Sequence, residues 1–331
     1  MHKIQKENID KAYAIFLEYI SIEKIDNKIS EFLENVKNNN PSEKLSANIN
    51  YMKNNIDKIL KADVKKMKEH NDNLQYITKN LETTIAKLQA KTITEAGLSG
   101  DSSIARTISK NFEKLYNNFI KNKKYSYKII EALGIKACPY CNINYTYAAI
   151  NYDEDDKPKY SIKPHYDHYY PKSIYPYLAL SFYNLIPSCP SCNSSLKGNK
   201  DYLPVHPYTK SLASMINFRL EVSDIKNLYK QESAFSIAID ANSTEAETHL
   251  NLFKLTDRYQ YHKDVVRELL IKKKCYSLEY INSIRQFLDE NGIFYTDDFI
   301  DCIITGNYTT SENINKRPLS KLNQDIWKFF I

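Results

Sequence analysis

Two Cys-x-x-Cys pairs, Cys138-Pro-Tyr-Cys141 and Cys189-Pro-Ser-Cys192, constrain this chain more than any other feature. A tetrahedral zinc ion takes four soft ligands, and a Cys-x-x-Cys turn presents two thiolates to one ion, so two such turns complete a closed four-thiolate site. Zinc there would pin two distant segments together. Four thiolates leave no coordination position open, so its role would be structural. Paired cysteines also serve in disulfides and iron–sulfur sites. A disulfide framework is not expected, because the sequence shows no secretory leader and the two remaining cysteines, Cys275 and Cys302, each stand alone.

Between the pairs lie His165-Tyr166-Asp167-His168-Tyr169-Tyr170-Pro171-Lys172 and Phe182-Tyr183-Asn184-Leu185-Ile186-Pro187, and the second pair runs into Asn193-Ser194-Ser195-Leu196-Lys197-Gly198. Piece by piece and in order, residues 138–200 resemble the HNH endonuclease motif with its flanking zinc cysteines. The resemblance implies a β-strand ending in Asp-His, a loop returning through Asn-Leu, and a short helix supplying the third motif residue as His or Asn. It also implies that Asp167 and Asn193 hold one divalent cation, that His168 is the general base, and that Asn184 braces the loop. Asn193 stands at the third position, and an amide oxygen suits a hard ion such as Mg²⁺ better than zinc.

These residue types fit the chemistry without the family name. Phosphodiester hydrolysis needs a deprotonated water, a sink for charge building on phosphorus, and help for the leaving oxygen. An unperturbed imidazole titrates near pH ~6.5, so His168 can accept a proton at cellular pH, and a metal can supply the rest. Adjacent strand residues point to opposite faces, so serving one site with Asp167 and His168 predicts a distorted strand end near Pro171. His165 shares the face of Asp167 and is either a metal or phosphate contact or a packing residue. Lys197, one turn beyond Asn193, is a phosphate contact or a solvated lysine. Nothing fixes a role for His206, and His2, His70, His249 and His262 read as ordinary histidines.

The wider pattern predicts a mainly α fold, α+β overall, with an embedded ββα-metal module stapled by the four-cysteine zinc site. Six glycines in 331 residues favour long helices over tight turns. Apolar residues recur at helical spacing through Ile9, Tyr13, Phe16 and Ile20, and again through Ile25, Ile29, Phe32 and Val36. Narrower stripes run through Leu45, Ile49, Met52, Ile56 and Ile59 and through Leu74, Ile77, Leu81, Ile85 and Leu88. They read either as a helical hairpin or coiled-coil arm that docks a partner, or as a bundle on its own core. Residues 1–130 thus form a helical region, 131–210 the nuclease-like module with structural zinc, and 211–331 a β-hairpin plus helices. Residues 144–151 and 160–168 read as a tyrosine-rich hairpin with an acidic turn. Its tyrosines serve either strand packing or base stacking.

An excess of 46 Lys and Arg over 40 Asp and Glu leaves a net charge of +6, so nucleic-acid binding would rest on a local patch. The basic stretch Lys121, Lys123 and Lys124 is such a patch or a solvated face. No stretch approaches the ~20 apolar residues of a membrane span, and a cytoplasmic protein is expected. No phosphate-binding Gly-x-x-x-x-Gly-Lys loop occurs, so the chain should not hydrolyse nucleotides itself. The organisation more loosely resembles the nuclease subunit of Septu-type or retron-linked anti-phage systems, which implies an ATPase partner that gates cleavage. A stand-alone homing or restriction-type nuclease, an RNA- or tRNA-cleaving effector, and a zinc-stabilised nucleic-acid-binding or scaffold protein without catalysis are the alternatives. DNA is the substrate the HNH resemblance favours over RNA.

Overall fold

The computed structural model describes residues 1–155 and 157–329. Seven helices open the chain: α1 (Lys6–Ile22), α2 (Ile25–Lys37), α3 (Glu43–Leu60), α4 (Val64–Asn73), α5 (Gln75–Gln89), α6 (Gly100–Lys121) and α7 (Lys123–Leu133). Their ends follow local chemistry. Ser42 caps α3 by accepting from the Leu45 N–H at 3.3 Å, and Asp63 caps α4 by accepting from Lys66 at 2.9 Å. Ser99 before α6 makes no side-chain cap; Asp101 accepts from the Ser42 hydroxyl and from Tyr76 at 2.7 Å, tying α6 to α3 and α5. At Gly134 the chain leaves α7 with φ +65°, and a Cβ there would meet the Asn8 amide at 2.7 Å.

The hairpin-arm reading of residues 45–88 is corrected by burial. Leu45, Ile49, Met52, Ile59, Leu74, Ile77 and Leu81 are all fully buried and belong to the one large core, which runs from Met1 to Ile326. Stripe width could not separate an arm from a bundle. The deciding contacts come from later in the chain, where Ser181 donates to the Ile59 carbonyl at 2.8 Å and Tyr177 to the Asn71 side chain at 2.8 Å. The expected boundaries near residues 130 and 210 do not divide that core.

Three two-stranded antiparallel sheets follow. β1 (Ala149–Tyr152) pairs with β2 (Pro158–Ile162), β3 (His165–His168) with β4 (Leu185–Ser188), and β5 (Ile216–Val222) with β6 (Phe235–Ala241). The tyrosine-rich run 160–168 is therefore split between two sheets. Pro164 has no N–H to continue a ladder, and Lys163 before it turns inward to donate to the Ile120 carbonyl at 2.9 Å. In the acidic turn, Asp153 accepts from Lys157 N–H at 2.8 Å, and Asp156 lies outside the described residues.

The C-terminal helices α8 (Thr244–Leu252), α9 (Leu255–Tyr259), α10 (Lys263–Cys275), α11 (Leu278–Glu290), α12 (Asp297–Thr305) and α13 (Ser320–Phe329) pack on β5 and β6 or form a small satellite core around Leu288, Ile300, Ile304 and Trp327. No helix among the described residues is long and apolar enough to cross a membrane. Because Ile49 is fully buried, Ile49→Ala should cost about 2–5 kcal/mol of stability in urea unfolding. A loss below about 0.5 kcal/mol would return residues 45–88 to the role of a free-standing arm.

Candidate functional site

The two cysteine pairs converge. Cys138 and Cys141 lie on a turn after α7, closed by Cys138 N–H to Asn144 O at 2.8 Å and Asn142 N–H to Cys138 O at 2.8 Å. Asn142 takes the left-handed φ of 53° that asparagine tolerates, and its side chain donates to Ile314 O at 3.0 Å and accepts from Lys321 N–H at 3.1 Å. Cys189 follows β4 directly, and Cys192 sits in the helical turn Ser191–Lys197. All four sulfurs are buried and lie within 4.8 Å of one another, with Cys141 and Cys189 at 3.9 Å.

Tetrahedral Zn–S bonds of about 2.3 Å put sulfurs about 3.8 Å apart, whereas a disulfide needs about 2.05 Å. The spacing therefore fits ligands of a single ion, and the cluster can hold a metal such as zinc. Donors already face the sulfurs: Ile143 N–H to Cys141 at 3.4 Å, Asn144 Nδ2 to Cys189 at 3.4 Å, Cys189 N–H to Cys138 at 3.5 Å and Arg258 Nη1 to Cys192 at 3.5 Å. Such outer hydrogen bonds orient and stabilise thiolate ligands. Hydrogen bonds from Cys138 foremost, and from the other cysteines and Asn144, pull the Cys189 thiol well below its ordinary value.

The second pair also sets the strand–strand–helix geometry. β3 and β4 run antiparallel with Asp167 opposite Ile186 and His168 opposite Leu185, and the chain then enters the helical turn that carries Asn193. This turn is wide. Gly198 N–H reaches back five residues to Asn193 O at 2.8 Å, a geometry that recurs at functional sites. Asn184 closes the loop between the strands, accepting from Tyr170 N–H at 2.7 Å and donating to the carbonyls of Tyr170 at 3.1 Å and Leu178 at 3.0 Å.

Asp167, His168 and Asn193 line one cleft of about 280 Å³, with Tyr116, Lys172, Ser194 and Asn199 among its walls. Asp167 is 1 % exposed; its Oδ2 accepts from Tyr140 at 2.8 Å and its Oδ1 lies 3.5 Å from Lys197 Nζ. Burial raises the Asp167 pKa above the usual carboxylate range, against the pull of Lys197 and Tyr140. Lys197 reads from the sequence as a phosphate contact or a solvated lysine, and its full burial fits neither. It is fully buried, donates to the His168 carbonyl at 2.6 Å, and braces the strand end from inside. His165 is exposed, with Nδ1 at 3.1 Å from the Asn193 amide and 3.5 Å from Ser194 Oγ.

Three histidines are buried in the same way, and one differs. His168, His206 and His249 each place Nε2 against a backbone carbonyl, of Ala179 at 3.0 Å, Tyr183 at 2.9 Å and Tyr140 at 2.9 Å. A carbonyl only accepts, so each Nε2 carries the proton. In His206 and His249 the Nδ1 lone pair is taken by the N–H groups of Tyr208 at 3.3 Å and Val205 at 3.1 Å. His168 Nδ1 has no such donor among the described residues, and its ring lines the cleft. Burial lowers its pKa to about 3, so the ring is neutral with a lone pair available.

Sequence reasoning missed Tyr140 and Tyr116. Tyr140 is a spacer within Cys-x-x-Cys, yet it couples the metal turn to Asp167. Tyr116 packs edge-on against His168 at 4.5 Å between ring centres and carries Lys172 over its own face at 5.3 Å. No protein-family model, curated protein or solved structure matches the chain.

Burial lowers the pKa of His206 to about 4. Since its folded pKa lies below the unfolded value near 6.5, the unfolded chain takes up the proton first, and stability is lost as pH falls from about 6.5 to 4. His206→Gln keeps a donor for Tyr183 but cannot titrate. The parent should lose up to about 1.4 kcal/mol per pH unit more than this variant across that window. Parallel stability–pH curves would show that His206 is not buried neutral.

Proposed function

We propose that the chain is a metal-dependent endonuclease that hydrolyses phosphodiester bonds, with zinc held by Cys138, Cys141, Cys189 and Cys192 and Mg²⁺ or a similar cation held in the cleft by Asp167 and Asn193. DNA is the first substrate to try, on the HNH resemblance alone. The observation that carries the reading is His168 Nδ1, an unpartnered acceptor in a cleft that also contains the Asp167 carboxylate and the Asn193 amide.

His168 supports a general-base role because its tautomer and ring orientation are fixed before substrate arrives. The Ala179 carbonyl holds Nε2–H, so a proton taken from water can go only to Nδ1. A pKa near 3 makes a weak base, but an arriving phosphodiester brings negative charge beside the ring and favours the imidazolium as the proton transfers. Lys197, bonded to the His168 carbonyl, and Asn184, which holds the following loop, keep the ring in place. A bound divalent cation would stabilise charge on phosphorus and assist the leaving oxygen. Asp167 can serve it only in competition with Lys197 and Tyr140, whereas Asn193, with His165 beside it, is more open.

The anti-phage reading, with an ATPase partner gating cleavage, keeps its sequence resemblance but loses the docking surface assigned to residues 45–88, whose stripes are largely core. In the test, His168→Gln retains an amide N–H for Ala179 but offers no base. It should reduce Mg²⁺-dependent cleavage about 10²- to 10⁴-fold while leaving zinc content and the melting curve near those of the parent. Full activity in that variant, or no cleavage of DNA or RNA by the parent with Mg²⁺ or Mn²⁺, contradicts the proposal.

A further inference from the structure

A second cavity of about 790 Å³ opens beside the His168 cleft, and the two share Lys172 and Asn199 as common wall. Its apolar lining comes from Ile85 and Leu88 on α5 and Ile93 in the following turn. Arg106, Lys91 and Lys172 bring positive charge to its rim. Ion pairs cancel most of this charge, Glu95 with Arg106 at 2.9 Å and Lys110 at 2.9 Å and Glu113 with Lys172 at 2.6 Å, and among the described residues Lys91 is the lining cation outside them. Ser173, also in the wall, has a buried hydroxyl with no hydrogen-bond partner.

The smaller cleft, about 280 Å³ against about 790 Å³, is the tighter of the two, and the Tyr116 ring in its wall already carries Lys172 over its face at 5.3 Å. A strand with a phosphate beside His168 can continue past Lys172 and Asn199, because the larger cavity shares those two residues as wall. Its volume is in the range of sites that enclose small organic ligands, about 300–1,000 Å³. The apolar side chains suit the face of a base, while the Gln89 and Asn199 amides can serve its edge. A base stacked and paired in a duplex cannot enter a concave pocket; only an unpaired or extruded one can.

We propose that this cavity binds one unpaired nucleotide next to the scissile phosphate, so that the substrate is single-stranded or locally unpaired nucleic acid. The inference rests on the hydrolytic reading of the His168 cleft and adds the substrate's secondary structure. Leu88 is half-buried at the pocket and outside the fully buried core, so Leu88→Trp should fill the space and keep the parent's melting curve, which is measured alongside.

The test places Leu88→Trp in the His168→Gln background and measures anisotropy of labelled single-stranded DNA, single-stranded RNA of the same sequence, a blunt duplex, and a duplex with one bulged nucleotide. The single strands and the bulge should bind at least about 10-fold tighter than the blunt duplex, given the worth of one stacked base. Leu88→Trp should remove most of that advantage, and so should a single abasic position scanned along the strand. The DNA and RNA arms show which sugar is accepted. Equal affinity for blunt duplex and single strand, no effect of Leu88→Trp and abasic sites, or no binding at all would overturn the inference. Cleavage by the parent is read separately. Duplex cleavage indifferent to Leu88→Trp sinks the pocket and keeps the hydrolytic reading, whereas strand binding sensitive to Leu88→Trp without any cleavage does the reverse.

Discussion

The convergence of four buried sulfurs on a space the size of one ion is the constraint on which the rest of the site depends. β3 and β4 have four residues each and the helical turn has seven, too little chain to bury a core of its own. They are held by the large core they share with the helices and by the cross-link a metal on the four sulfurs would add, which in small zinc-stapled folds contributes ~10 kcal/mol or more. Its geometry also transmits. Fixing the first cysteine turn fixes Tyr140 against Asp167, and fixing the second starts the turn that carries Asn193 and Lys197. The helices then clamp the staple, with Tyr259 donating to Cys141 O at 2.8 Å and Phe253 stacked on Tyr140 at 4.7 Å.

Around this frame the polar groups are buried in a way that is stable only when complete. Asp167 and Lys197 are both inside, and burial alone would discharge each. Their attraction, the Tyr140 hydroxyl and the His168 carbonyl together offset that cost, so removing one partner would leave the other charge stranded. His206 and His249 have both ring nitrogens matched to backbone groups and are framework residues. His168 departs from that pattern at a single atom. The departure is what gives the cleft a chemical capability and not only a shape.

Much of this was legible in the sequence, and the failures have physical reasons. The cysteine spacing gave the cluster because two ligands on one turn is a local property. The stripes from Ile9 to Ile20 and from Ile25 to Val36 became α1 and α2, because apolar period is local as well. Long-range matters were not legible. Residues 45–88 carry stripes as narrow as a coiled coil, but what covers them is α2, α6 and the segment 176–181, a set of neighbours that no periodicity reveals. Lys197 looked like a surface lysine because its partners Asp167 and the His168 carbonyl are close only after folding. The single tyrosine-rich hairpin became two sheets at Pro164, a breaker visible in the sequence but outweighed by the β-forming tyrosines around it.

The central claim is that a metal held by the four cysteines organises the His168 cleft, and the most direct measurement is metal content coupled to structure. Protein purified without added metal is analysed for zinc, then titrated with a chelator while released zinc and the near-ultraviolet circular dichroism of the buried tyrosines are followed together. One zinc per chain should be found, and its release should coincide with loss of the tyrosine signal, with Cys138→Ser and Cys189→Ser lacking both from the start. Protein that holds no zinc, or that keeps its tyrosine signal and its melting temperature after zinc is gone and in both cysteine variants, would contradict the account.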